Sequence, residues 1–212
     1  MKRIHHWSPR YISSRLRDKL YRKLNPHSPW LTPIAIDLID QWLQSEDVGF
    51  EFGSGRSTIW FAMRIAFLTS VENNPDWYQR VQQWLDEANL ENVEHFLRGE
   101  DDTTTDYKRA SNYLSPVTDI PSEHLDFALV DGRWRSQCAN ALIPKLRPGG
   151  LMIIDNINLY LPSPSHAPNS RTLEEGPLTD GWKRFWNDTK TWRRIWTSNG
   201  VSDTALFFKP AS

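Results

Sequence analysis

The chain has 212 residues, of which 39% are hydrophobic and 24% charged, and its formal net charge is −1. This length predicts one α/β domain with appendages, and the single cysteine, Cys138, excludes a disulfide framework or a cysteine-based zinc site within one chain. No apolar run typical of a signal peptide or a membrane span follows the basic N-terminus, so we expect a cytoplasmic protein.

The positive charge is concentrated in the first 24 residues, which hold eight Lys and Arg against one acid and carry +7, while the remainder carries −8. Because this basic face is local, we expect no nucleic-acid partner. Residues 11–24 form a predicted basic amphipathic helix with apolar residues four apart, Ile12, Leu16, Leu20 and Leu24. Such a helix either packs on its own domain, which we favour, or makes a peripheral contact with an anionic membrane.

A second helix is predicted over 34–44, with Thr32 as its N-cap and Pro33 in its first turn. From Asp47 onward, short apolar runs alternate with helical stretches, a pattern typical of βαβ units and a mostly parallel sheet. We therefore divide the chain into an N-terminal helical extension, 1–46, and a core domain, 47–212.

Within the core domain, the sequence predicts strands over 47–52, 67–72, 92–97, 125–130 and 150–155. Helices are predicted near 57–65, 75–88 and 135–146. The segments TWRRIWTS and DTALFFKP form a last strand pair joined by a hairpin at Asn199-Gly200.

The stretch VGFEFGSGRST, residues 48–58, places Glu51 two residues before a Gly-Ser-Gly turn. A glycine-rich turn after a strand lets a ligand approach the backbone closely. A dinucleotide fingerprint would require glycine where Thr58 stands, so the match to a nicotinamide or flavin site is poor. Glu51 instead suits a positively charged ligand group, and Glu72, at the end of the second strand, could accept hydrogen bonds from a ribose diol.

Four segments, EFGSGRST, SVENNPDWY, LDFALVDGRWR and LRPGGLMIIDN, follow one another in a family-specific order and spacing. Through these segments, the part of the chain from 47 to 156 resembles the class I S-adenosylmethionine (SAM) dependent methyltransferases. The resemblance implies an α/β, Rossmann-like, seven-stranded, mostly parallel sheet with an antiparallel last strand and helices on both faces. It also implies that SAM lies across the carboxyl ends of the strands.

The resemblance implies that Glu51 and the glycine turn lie near the methionine part of SAM and that Glu72 binds its ribose. In the loop RGEDD, Asp101 or Asp102 could accept a hydrogen bond from the adenine amino group. The cofactor-binding residues expected on this basis are Glu51, Phe52, Gly53, Ser54, Gly55, Ser57, Thr58, Glu72, Asn73, Asp101 and Asp131.

Asp131 ends the fourth predicted strand, and Asp155 and Asn156 end the fifth, so their oxygen atoms should face one cleft. Two carboxylates and an amide suit Mg²⁺, and the set resembles the metal site of catechol O-methyltransferase-like enzymes. Alternatively, Asp131 holds SAM or acts as a base, while Asp155 and Asn156 cap the strand end. Arg133 and Arg135 either bind an anionic substrate group or pair with these acids.

The resulting hypothesis is methylation of a small-molecule or saccharide hydroxyl, with Asp131, Asp155 and His166 of the Pro/Ser-rich loop as candidate catalytic residues. Three tryptophans are candidates for stacking on a sugar or planar acceptor: Trp7, Trp30 and Trp134. Two alternatives remain, a non-catalytic binding module recruited by the basic helix and an NAD(P)-dependent oxidoreductase.

Overall fold

The computed structural model describes residues 8–99 and 106–211. In these residues the helices are α1 (Pro9–Leu24), α2 (Pro33–Trp42), α3 (Arg56–Ala62), α4 (Pro75–Glu87), α5 (Asp106–Thr118), α6 (Arg135–Leu142) and α7 (Asp180–Asp188). The strands are β1 (Val48–Phe52), β2 (Phe67–Glu72), β3 (Val93–Leu97), β4 (Leu125–Val130), β5 (Leu146–Asp155), β6 (Arg193–Ser198) and β7 (Asp203–Phe208). A short 3₁₀ helix, Ile157–Leu159, follows β5.

The described strands form one seven-stranded sheet in the order β3-β2-β1-β4-β5-β7-β6. The first five strands in sequence pair in parallel, whereas β7 is antiparallel to both β5 and β6. This confirms the predicted Rossmann-like sheet with an antiparallel last strand. The strand order reverses between β1 and β4, and doubly wound folds bind ligands at the carboxyl ends of the strands beside such a reversal.

Both faces of the sheet are covered, and the apolar residues form two clusters. On one face, Ile36 of α2 and Phe61 of α3 pack with Phe127 of β4. On the other face, Tyr113 of α5 and Leu142 of α6 belong to the second cluster. Every residue of β4 is buried, as expected for a parallel strand with helices on both sides.

The two largest differences between predicted and observed boundaries have identifiable reasons. Strand β5 begins at Leu146 rather than at 150, because the LRPGG segment is extended and already pairs with β4 through Leu125. Helix α6 ends at Leu142 rather than at 146, just before Pro144, whose ring would clash within a helix.

Helix α5 was missed by the sequence prediction, although a parallel connection from β3 to β4 needs a crossover segment. Its sequence is mostly polar and has Pro116 inside the helix, which hid the signal. The spacing of three buried residues, Ala110, Tyr113 and Val117, fits one helical face and could have revealed it.

Helix α1 forms as predicted and contacts the domain, but it does so with the side opposite its apolar stripe. The stripe points away from the sheet, with exposures of 44%, 63%, 57% and 69% for Ile12, Leu16, Leu20 and Leu24. The opposite side contacts the domain through Asp18, which is 6% exposed and accepts hydrogen bonds from Arg22 and from Asn199 near the β6–β7 hairpin.

The segment before β1 is firmly connected to the sheet through α2. Thr32 precedes α2 as predicted, but its hydroxyl bonds to Thr197 of β6 and does not cap the helix, while its amide donates to Thr204 of β7 (3.0 Å). The division of the chain at residues 46 and 47 stays a prediction.

Candidate active site

The carboxyl ends of β1, β2 and β4 surround one pocket of about 340 Å³. Seven of the predicted cofactor-binding residues line it: Gly53, Ser54, Gly55, Ser57, Glu72, Asn73 and Asp131. The other lining residues are Trp30, Arg56, Trp77, Gly132 and Arg133. Of the tryptophans singled out in the sequence, Trp30 therefore borders this pocket, Trp134 does not, and Trp7 lies outside the described residues.

Gly53 and Gly132 bring the two loops of the pocket into direct contact. Gly53 has φ of +95°, and a Cβ added there would lie 2.6 Å from the backbone nitrogen of Gly132. A Cβ on Gly132 would lie 2.1 Å from the hydroxyl oxygen of Tyr113. Neither position has room for a side chain, so both glycines are explained by packing between loops, independently of any ligand.

Glu51 lies beneath the glycine turn and has no exposed surface. Its carboxyl oxygens accept hydrogen bonds from the hydroxyls of Ser57, Thr58 (2.6 Å) and Ser70 (2.7 Å). The Thr58 hydroxyl also accepts from the amide of Gly55 (2.8 Å). These bonds explain why threonine replaces the third glycine of a dinucleotide fingerprint, since its side chain joins the turn to the carboxyl group below.

A chain of hydrogen bonds leads from Glu51 to His95 across three neighbouring strands. The Ser70 hydroxyl lies 2.8 Å from that of Ser54, which in turn lies 3.0 Å from Nε2 of His95. Because Ser70 donates to Glu51, a consistent chain has His95 donating to Ser54 and Ser54 donating to Ser70. Ser70 and His95 were not predicted, although the parallel register aligns Glu51, Ser70 and His95 in one row.

Burial shifts the titration of both ends of this chain toward the neutral form. It raises the pKa of Glu51 to about 7, against the three hydroxyl hydrogen bonds, and the negative charge of Asp131 adds to the rise. Burial also lowers the pKa of His95 to about 4. The row is therefore neutral in mildly acidic solution, and Glu51 acquires its charge near neutral pH.

Glu72 enters the pocket from the end of β2 with a fixed orientation. Its Oε1 accepts from the amides of Asn73 (2.8 Å) and Asn74 (2.7 Å), and burial raises its pKa in spite of these bonds. Trp77, in the first turn of α4, donates from its indole nitrogen to the carbonyl of Ser54 (2.7 Å). Sequence reasoning missed Trp77 as a pocket residue, yet it follows Glu72 by only five positions in SVENNPDWY.

The predicted oxygen cluster at the ends of β4 and β5 contains a guanidinium group. Arg135 Nη2 donates to Oδ1 of Asp131 (2.7 Å), and Nη1 donates to Oδ1 of Asn156 (3.2 Å) and to the backbone carbonyl of Asp155 (2.5 Å). The Asp155 carboxyl instead accepts from the Thr204 hydroxyl (2.7 Å). The side chains of Asp131 and Asn156 thus converge, and the group between them is the guanidinium of Arg135.

Burial, followed by the negative charge of Asp131, raises the pKa of Asp155 to about 7. Partial burial raises the pKa of Asp131, while Arg135 opposes the rise. Among the described residues, no group of three or more His, Cys, Asp or Glu side chains could hold a metal ion. With Arg135 in place, the oxygen cluster does not fit Mg²⁺, because the ion would have to displace a guanidinium that is already hydrogen-bonded.

Two other predicted residues, Phe52 and His166, lie away from the pocket lining. Phe52 is buried in the core, and His166 borders a separate cavity of about 780 Å³ between the start of α1 and residues 165–175. Asp101 and Asp102 lie outside the described residues. The structure therefore groups Asp131 with the turn and Glu72, and separates His166 from them.

Comparison with known proteins identifies a family and a fold. The family model described as "Methyltransferase domain" matches residues 50–157, just over half of the chain. No curated protein sequence matches the chain.

Solved structures match the fold at low sequence identity. An O-methyltransferase from Bacillus cereus in complex with S-adenosylhomocysteine (SAH) is 16% identical, with 95% of this chain and 91% of that chain covered and a TM-score of 0.60. A methyltransferase-like protein from Silicibacter pomeroyi is 19% identical over 86% and 89% of the two chains, with a TM-score of 0.58. A methyltransferase from Geobacter sulfurreducens is 14% identical over 97% and 90%, with a TM-score of 0.55.

The raised pKa of Glu51 predicts a specific pH dependence of folding. A carboxyl group whose pKa is higher in the folded state stabilises the fold below its unfolded value, and this contribution is lost as the pH rises through about 7. We expect the free energy of unfolding of the wild type to fall, relative to that of Glu51→Gln, by up to about 3 kcal/mol between pH 4.5 and 8. Urea unfolding at several pH values measures this difference, in which the contributions of Asp155 and His95 cancel.

Glu94→Gln is the matched control, since Glu94 is an exposed glutamate on β3 of the same sheet. Its difference from the wild type should not change with pH. Parallel pH curves for the wild type and Glu51→Gln would contradict the raised pKa.

Proposed function

Because the chain belongs to the methyltransferase domain family, within the class I SAM-dependent methyltransferases, we propose that it transfers the methyl group of SAM to an oxygen atom of a small-molecule acceptor. The observation that carries this proposal is the pocket that joins the Gly53–Gly55 turn, Glu72 and Asp131 at the reversal of strand order. Open α/β sheets bind their ligands at this place.

The charges around the pocket support a definite orientation of SAM. The ammonium group of the methionine part is placed above the glycine turn, where the ionised form of Glu51 below it is attractive. The ribose diol donates to Glu72, whose Oε1 is already held by two amides and so needs no reorientation on binding. The adenine then extends past Asn73 toward the end of β3.

Methyl transfer to a hydroxyl requires that the acceptor oxygen be aligned with the methyl group of SAM and that one base accept the hydroxyl proton. The acceptor oxygen attacks the methyl carbon in line with the sulfonium sulfur, the carbon–sulfur bond breaks, SAH leaves, and the hydroxyl proton passes to a base. Asp131 is proposed as this base because it lines the pocket and its side chain is 29% exposed. The Asp155 carboxyl is hydrogen-bonded to the Thr204 hydroxyl, and His166 borders another cavity, so neither is as well placed as Asp131 to act as the base.

Glu72→Gln tests the ribose assignment by calorimetry with SAH, which cannot react. We expect about 10- to 100-fold weaker SAH binding, because a charge-assisted hydrogen bond to the diol is lost. Glu94→Gln on the next strand should bind as the wild type does, and circular dichroism checks that each variant is folded. A wild-type protein that binds neither SAM nor SAH would refute the proposed function, whereas equal binding by Glu72→Gln would refute only the ribose contact.

Asp131→Asn tests the base in an assay of labelled methyl transfer over a panel of hydroxylated small molecules and saccharides. We expect kcat to fall by about 10²- to 10⁴-fold, the usual contribution of general base catalysis, while SAH affinity changes little. Full activity in Asp131→Asn would exclude Asp131 as the base. Transfer only to nitrogen acceptors would refute the proposed oxygen chemistry.

A saccharide is proposed as one acceptor class because Trp30 stands at the mouth of the pocket with 51% of its surface exposed. An exposed aromatic face can stack on a sugar ring. The guanidinium carbons of Arg22 and Arg56 lie 5.3 and 5.5 Å from the centre of this ring and hold it in place. In the same assay, Trp30→Ala should raise KM for saccharides more than for linear alcohols, and an equal change in both would contradict the stacking role.

We also propose that α1 binds an anionic membrane surface. The observation in its favour is the exposed apolar stripe of four residues described above, on a helix with six Lys and Arg against one Asp. Partial insertion of this stripe would place the basic residues near lipid phosphates. Pairing of two α1 helices would instead bring two positively charged surfaces together. Among the described residues, no helix combines the length and apolarity needed to cross a bilayer.

Vesicle flotation tests the membrane proposal with phosphatidylcholine vesicles that contain or lack phosphatidylserine. We expect the wild type to float only with the anionic vesicles. The variant Leu16→Ser/Leu20→Ser and the charge reversal Arg15→Glu/Arg17→Glu should both lose flotation. Leu173→Ser is the control, because Leu173 is 80% exposed and lies in the loop before α7.

No flotation of the wild type, or flotation that survives charge reversal, would refute the membrane proposal. A wild-type dimer in sedimentation that Leu16→Ser/Leu20→Ser dissociates would assign the stripe to a second copy of the chain.

A further inference from the structure

The guanidinium of Arg135 has all its hydrogen-bonding capacity satisfied inside the protein. Its five N–H groups meet five oxygen atoms, which come from Gly132, Asp131, Asp155 and Asn156. Three of these oxygens are backbone carbonyls, at 2.9, 2.7 and 2.5 Å, and two are the side-chain oxygens of Asp131 and Asn156. No N–H of Arg135 is left for an acceptor molecule, so the alternative that Arg135 binds an anionic substrate group is not supported.

The same oxygens form a set that hard divalent cations prefer. Carboxylate, amide and carbonyl oxygens are the ligands of Mg²⁺ and Mn²⁺ in proteins, and the group includes one full negative charge from Asp131. A divalent ion and the guanidinium cannot share this space, because both are cations and both need the same lone pairs. We infer that Arg135 is a built-in replacement for a divalent metal ion at the carboxyl ends of β4 and β5.

The backbone on both sides is shaped for this role. Trp134, just before α6, has φ of +45°, and Asn156, just after β5, has φ of +51°. Asparagine adopts the left-handed conformation readily, whereas for a bulky residue such as Trp134 it is unfavourable and persists only where the surroundings enforce it. Trp134 turns the chain so that α6 begins at Arg135, and Asn156 turns its side chain toward the guanidinium. Arg135 is therefore a positioning residue that fixes Asp131 beside the pocket.

The inference has a direct consequence for the reaction, and this part alone depends on the proposed function. The acceptor hydroxyl is not ionised by a metal ion, so methyl transfer should proceed equally with Mg²⁺ and after treatment with EDTA. The replacement itself is tested without turnover, by Mn²⁺ binding followed through electron paramagnetic resonance of the free ion.

The decisive variant is Arg135→Met, which keeps a long apolar side chain and removes the guanidinium. We expect the wild type to bind no Mn²⁺ at this place, and Arg135→Met to bind one Mn²⁺ per chain at least tenfold more tightly than the wild type binds any. Adding Asp131→Asn to Arg135→Met should abolish the gain. Arg133→Met is the matched control, because it removes a positive charge two residues away without opening the oxygen set, and it should bind no Mn²⁺.

Two results would overturn the inference. One is wild-type Mn²⁺ binding that is lost in Asp131→Asn, which would show that the metal and Arg135 coexist. The other is a folded Arg135→Met variant that gains no Mn²⁺ site. If Arg135→Met does not fold, Mn²⁺ titrations of the wild type and of Asp131→Asn still decide. Mn²⁺ binding by the wild type that is lost in Asp131→Asn overturns the inference, and no Mn²⁺ binding by the wild type supports it. Failure of SAM binding would refute the proposed function and leave the Mn²⁺ results unaffected.

Discussion

The pocket depends on the burial of one carboxyl group, that of Glu51, in the middle of a parallel sheet. A buried carboxylate without partners would be strongly destabilising, and three hydroxyl donors, two from α3 and one from β2, reduce this cost. The same donors join β1 to its helix and to β2, so the position of the glycine turn follows from the hydrogen bonds to Glu51. The turn in turn contacts Gly132 and thereby fixes the loop that holds Asp131. One interaction below the pocket therefore sets the geometry of both of its loops.

The sheet could be predicted from the sequence because its signals are local and repeated. Most strands are short apolar runs bounded by turn residues, and four motifs occur in the order of a known family. Six of the seven strands begin within two residues of the start of the predicted strand or segment. The exception, β5, starts early because pairing with β4 continues through a segment whose glycines suggest a turn. Helix α5 was missed for the converse reason, since its packing on the sheet outweighs a polar sequence with an internal proline.

The residues around the pocket were only partly predictable. Glu72 and Asp131 were expected because each ends a predicted strand, and this architecture binds its ligands at the carboxyl ends of the strands. Ser70 and His95 could not be found from spacing along the chain, because their relation to Glu51 comes from the register of three strands paired side by side. The outward direction of the α1 stripe was equally hidden, since it depends on Asp18 reaching Asn199, a residue 181 positions away.

The case of Asp131, Asp155 and Asn156 shows why residue types at strand ends do not specify a metal ion. The three residues have the right oxygens, and parallel strands bring two of their side chains together, as the sequence predicts. What decides the occupant is a fourth residue, Arg135, four positions beyond Asp131 in the turn and helix that follow. An arginine at that spacing can fold back over the strand end, and its planar group has as many donors as the cluster has acceptors. A set of acidic and amide residues is therefore evidence for a cation, and the choice between a metal ion and a side chain lies in the first turn after the strand.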